Sequence, residues 1–179
     1  MKKSKEEYLM LREEILHLDT IVNNTINFFY VFVSTILAFS ITQEDSLFTL
    51  ISYVVIIPAY LMVLSKEKGI FKIGAYLYVF QEGKEFNWER RSRKMYSNNT
   101  EPILYKIHSF NFPFLFVSTF VTVIFFIKTD WDAICMVSEF VKMVIAVILY
   151  ITQLMLIIKN RRVSARPYIA LWEKVKNEE

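Results

Sequence analysis

Four stretches of this 179-residue chain are long and apolar enough to cross a lipid bilayer, and that excludes most folds open to a polypeptide of this length. They are residues 21–41, 47–64, 110–127 and 134–158. A helix rises 1.5 Å per residue, so about 20 residues cover a hydrocarbon layer of roughly 30 Å. The first three blocks contain no charged residue at all. A helix of a small soluble protein must turn one face to water, so uninterrupted apolar blocks of this length belong in lipid. A composition that is 54% hydrophobic and 16% aromatic agrees. The expected fold is all-α: an integral membrane four-helix bundle of two hairpins, 21–64 and 110–158, with amphipathic helices on the cytoplasmic side.

Positive charge orients the bundle. Of 21 Lys and Arg residues, 19 fall in segments 1–20, 65–109 and 159–179, which alternation of the spans places on one side. Lys128 lies opposite, and Lys142 lies inside the fourth block. Cationic flanks resist translocation, so both termini and the central segment 65–109 are expected in the cytoplasm. No apolar stretch precedes the first span within the charged residues 1–20, which makes that span a signal anchor rather than a cleaved leader. The connections 42–46 and 128–133 are too short to build a binding domain, so recognition of anything large falls to the cytoplasmic segments. The single cysteine, Cys135, permits no intrachain disulfide.

Tyr8, Leu11, Ile15 and Leu18 recur at helical spacing opposite Glu6, Glu13 and Glu14, which predicts an amphipathic helix leading into the first span. Asn23, Asn24 and Asn27 mark the inner end of that span. Each costs free energy in lipid unless satisfied, so they either sit at the interface and helix contacts or, with Gln153 of the fourth span, line a polar vestibule.

The central segment is expected to be a basic loop. Residues 69–80 carry only one charge, Lys72, among Phe71, Tyr76, Tyr78 and Phe80, and are too short to cross. They predict a stretch lying in the interface or packed on other helices. All three glycines, Gly69, Gly74 and Gly83, fall here, which suggests hinges or close backbone approach. Next, Lys84, Arg90, Arg91, Arg93 and Lys94 surround Phe86 and Trp88. Topology alone demands positive charge beside a span. Basic residues interleaved with aromatics also suit anionic lipid headgroups, a nucleotide, RNA or a cytoplasmic protein partner.

Within the blocks, Pro58 and Pro113 release backbone carbonyls where they are interior to a helix. No span contains glycine, so small-residue contacts reduce to patterns such as Ser34 with Ala38 and Ser118 with Thr122. Glu139 and Lys142, three apart on one helix face, can pair. Either they lie within the membrane, as a pore or helix-contact site, or residues 131–142 lie along the outer surface and the fourth span is 143–158.

Catalytic and metal-binding motifs are missing: there is no P-loop, GxSxG, HExxH or CxxC, and neither a metal nor a cofactor is expected. The one enzymatic pattern is Arg12 followed after four residues by His17, the spacing of HEPN-type ribonucleases. On a continuous helix the two side chains point about 140° apart, so they converge only if the helix breaks or a second subunit contributes.

The N-terminal sequence YLMLREEILHL, four spans, and a cytoplasmic segment carrying AYLYVF and FNWERR together resemble small bacterial membrane proteins that serve as effectors or accessories in antiviral defence. These include the pore-forming partner of an RNA-targeting CRISPR nuclease. The resemblance implies a membrane-perturbing homo-oligomer of the inner membrane, controlled from the cytoplasm. Arg12 and His17 match the divergent HEPN pattern attributed to some of these proteins.

Overall fold

The computed structural model describes residues 2–43, 45–81, 111–131, 137–160 and 165–178, and no strand occurs among them. Helix α1 runs Lys2–Thr42, α2 Leu47–Leu50 and α3 Ser52–Tyr76, with α3 closing in a π-helical turn at Leu77–Gln81. Helix α4 is Asn111–Lys128, α5 Val137–Asn160 and α6 Arg166–Glu178. Four helical stretches are long and apolar enough to cross a membrane: the first two contain the expected blocks 21–41 and 47–64, and the other two, Asn111–Lys128 and Val137–Asn160, overlap the described parts of 110–127 and 134–158.

Two boundaries differ from the sequence reading. The amphipathic segment and the first span form one helix, because no glycine or proline interrupts the 41 residues of α1, about 60 Å of unbroken backbone. Likewise residues 65–81 prolong the second span as helix instead of opening the expected loop. No proline occurs between Pro58 and the end of the π turn, and the two glycines there do not stop a helix that packs along one face. Pro58 is accommodated inside α3, whereas Pro113 occupies the first turn of α4, where a missing N–H costs nothing.

At the fourth span, no break separates Glu139 and Lys142 from the rest of α5. Its 24 residues form one helix of about 36 Å that runs through Lys142 and Met143, where the alternative reading starts the span.

The chain divides into two compact units. The first comprises Met1–Asn23, Leu64–Ser109 and Arg162–Glu179. Its described parts are the N-terminal half of α1, the C-terminal half of α3 with the π turn, and α6. Here Gly69 brings α3 against α1: a Cβ at this position would meet Leu18 Cδ1 at 3.3 Å. Ala75, Leu77 and Val79 are buried.

The second unit comprises Asn24–Val63 and Phe110–Arg161. Its core packs Phe29 against Phe114, the rings tilted with centroids 4.5 Å apart, and Tyr60 meets the same Phe114 ring edge-on at 5.3 Å. Ile56, Val63, Val121, Phe125 and Ala146 complete it, all fully buried. The core is threaded with polar atoms that bond internally. Thr122 Oγ1 donates to the Ser118 carbonyl at 2.8 Å, and the Tyr53 hydroxyl lies 2.7 Å from Thr122 Oγ1 and 3.1 Å from that carbonyl. The Tyr60 hydroxyl reaches Asn111 Oδ1 at 3.0 Å and the Leu156 carbonyl at 3.2 Å. The Lys128 ammonium, at the end of α4, donates to the carbonyls of Ser40, in the last turn of α1, and of Gln43, just beyond it.

Candidate functional site

The first unit holds a cleft of about 500 Å3. One wall is α1, whose residues Glu7, Leu11, Glu14 and Leu18 recur at intervals of three and four and therefore share a face. The other wall is α3, which contributes Ser65, Lys66, Gly69, Lys72, Ile73 and Tyr76, and Trp172 of α6 closes one end. Carboxylates stand on one wall, ammonium groups on the other, and leucine, isoleucine and aromatic surface lies between them.

Three aromatic rings fix the closed end. Tyr76 and Phe80 lie 4.9 Å apart, and the Trp172 ring meets them edge-on at 5.2 and 6.1 Å. Polar bonds tie the rings to the backbone and to the opposite wall. The Tyr76 hydroxyl donates to Glu7 Oε1 at 2.5 Å, and Trp172 Nε1 donates to the Lys72 carbonyl at 3.2 Å. Lys176 Nζ reaches the Val79 carbonyl, inside the π turn, at 2.9 Å. A π turn spoils regular backbone pairing and is frequent where a helix carries a site. Nearby, burial raises the carboxyl pKa of Glu67, and the Asp19 carboxylate adds to that.

A second cluster sits in the other unit, where the α1–α2 connection meets α5. The Lys142 ammonium lies 2.8 Å from Glu139 Oε1 and 2.8 Å from Asp45 Oδ1. The Glu139–Lys142 pair is the one expected from spacing, while Asp45 is an addition. Hydrogen bonding from Lys142, then from the Leu47 backbone N–H, holds the Asp45 carboxyl below the ordinary carboxylate range.

The other candidates are distributed as follows. Gln153 is fully buried in the second unit, and neither its amide nitrogen nor its amide oxygen has a partner among the described residues. Asn23, Asn24 and Asn27 are exposed on α1, with Asn23 Nδ2 bonded to Asp19 at 3.3 Å. Exposed asparagines and a buried glutamine do not make one polar lining within a chain. Arg12 and His17 lie on unbroken helix, so their side chains diverge. Lys84, Trp88, Arg90, Arg91, Arg93 and Lys94 lie outside the described residues.

Sequence reasoning missed the cleft, whose two long walls are 47 and more residues apart along the chain, and it missed Asp45 as the second partner of Lys142. An acidic residue in a tight connection, with Lys142 as a cation in the fourth apolar block, was the available signal. Compared with known protein families, with curated proteins and with solved structures, the chain matches none.

Proposed function

We propose that this chain is a multi-pass inner-membrane effector that assembles from several copies and changes membrane permeability on a cytoplasmic signal received in the α1–α3–α6 cleft. Its N- and C-termini are cytoplasmic in this reading, following the charge asymmetry. Antiviral defence is the setting that the sequence resemblance implies.

The cleft carries the proposal. It presents a mixed-charge, partly aromatic surface of ligand size, and both its long walls are helices that also supply spans. The incomplete cover of those spans supports assembly. Within the most apolar window only 22% of α1 and 17% of α5 is buried by the chain itself, against 44% for the second span. The remaining surface suits lipid and further copies.

Planar-bilayer conductance and dye release from vesicles test it, using purified protein and the Lys66→Glu, Lys72→Glu and Trp172→Ala variants. A conductance in the native chain whose open fraction changes several-fold in the cleft variants is expected. No conductance in any of them, together with unaltered dye uptake in phage-challenged bacteria expressing the native chain, overturns the proposal.

A non-transporting anchor is the second reading, favoured by α6, which exposes Leu171 and Val175. It predicts a soluble partner lost on Leu171→Asp with permeability untouched. A ribonuclease reading has no such support, since Arg12 and His17 point apart.

A further inference from the structure

The second-unit part of α1 has three distinct sides. Phe29, Val33 and Ser40 face the core. Phe28, Phe32 and Phe39, between 53% and 64% exposed, form a side made for lipid tails. Taking 100° per residue, this side is centred about 120° around the helix from Asn27. The third side carries Asn27, Ser34 and Ala38, all exposed and within about 40° of one another, flanked by Tyr30 and Val31.

Depth makes the third side anomalous. Asn27 lies 15 residues before the end of α1 at Thr42, about 22 Å along the axis, and Ser34 about 12 Å. Both fall within a hydrocarbon layer of roughly 30 Å measured from that end. The Asn27 carboxamide has no hydrogen-bond partner among the described residues. An unsatisfied amide facing lipid tails is costly, so a membrane helix turns it towards another helix.

We infer that the Asn27–Ser34–Ala38 side of α1 is a homotypic helix contact, occupied by the same side of a second copy of this chain. The inference deepens the proposed assembly and rests on the reading of α1 as a span. Self-complementarity selects the occupant. A carboxamide is both donor and acceptor, and copies inserted with one topology present Asn27 at the same depth, so the two amides satisfy each other across a parallel pair. Ser34 and Ala38, about two and three turns further along, are small enough for the backbones to approach. The spacing of seven and then four keeps the three positions on one seam, whereas Phe28, Phe32 and Phe39 would hold two helices apart.

Disulfide trapping in isolated membranes tests the contact in a Cys135→Ser background. Ser34→Cys is expected to give a crosslinked dimer at least several-fold more efficiently than Phe32→Cys. Adding Asn27→Leu to Ser34→Cys is expected to reduce trapping several-fold, while Asn27→Gln retains most of it. Resistance to carbonate extraction, measured on every variant, reports insertion independently. Equal trapping at 32 and 34, or trapping indifferent to Asn27→Leu in fully inserted protein, overturns the contact. Trapping at 34 without any conductance overturns the permeability proposal alone, and conductance without trapping at 34 overturns the contact alone.

Discussion

The Lys142 ammonium on α5 is held 2.8 Å from the carboxylate of Asp45, a residue 97 positions earlier, in the connection between the first two spans. A cation near the start of a largely apolar helix is thereby neutralised from another hairpin as well as from its own turn. Asp45 is depressed in the folded state, so the stability it contributes is complete above its unfolded value near 3.8 and is lost as pH falls through the lower folded value. Asp45→Asn should lower stability in detergent by on the order of 0.5–1 kcal/mol at neutral pH, since the carboxylate side chain is 42% exposed and screened. Thermal unfolding from pH 6 to pH 3 should show the gap between native and variant protein closing at the acid end.

Gln153 presents the opposite situation, a buried amide with no partner among the described residues. Gln153→Leu should stabilise the purified chain by about 1–2 kcal/mol, because it replaces an unsatisfied polar group by apolar volume of similar size. If the amide serves permeation, the same variant loses conductance while gaining stability. Paired unfolding and bilayer measurements read both effects.

Trp172 pins α6 to the end of α3 and its π turn, through one hydrogen bond to the Lys72 carbonyl and edge contacts with Tyr76 and Phe80. Trp172→Ala should weaken that docking by about 1–3 kcal/mol. Limited proteolysis should then cut within residues 165–178 many times faster, with the spans still protected.

Gly74 sits inside α3, and a Cβ there meets nothing within 4 Å. Gly74→Ala should stabilise the helix by about 0.5–1 kcal/mol, visible as a raised unfolding midpoint without loss of conductance.

The spans were legible because their signal is local: apolar length alone delimits residues 47–64 and 110–127, and the structure starts those helices within a residue of the expected positions. The Glu139–Lys142 pair was legible for the same reason, since spacing of three fixes a shared helix face. What could not be read required one segment to know where another lies. The continuation of α3 through Lys66 and Lys72 looks loop-like by charge, and it is helical because its face meets Leu18 and Trp172. Lys128 looked like an ordinary charge in a short connection, whereas it ends two helices at once.

That last arrangement limits how the second unit can deform. With its side chain closing the C-terminus of α1 and its backbone closing α4, Lys128 rivets two hairpins at a common level. A bilayer that thins or thickens therefore cannot slide one hairpin past the other without first breaking these charged bonds, and adaptation to a different lipid thickness falls to tilting the pair as one body.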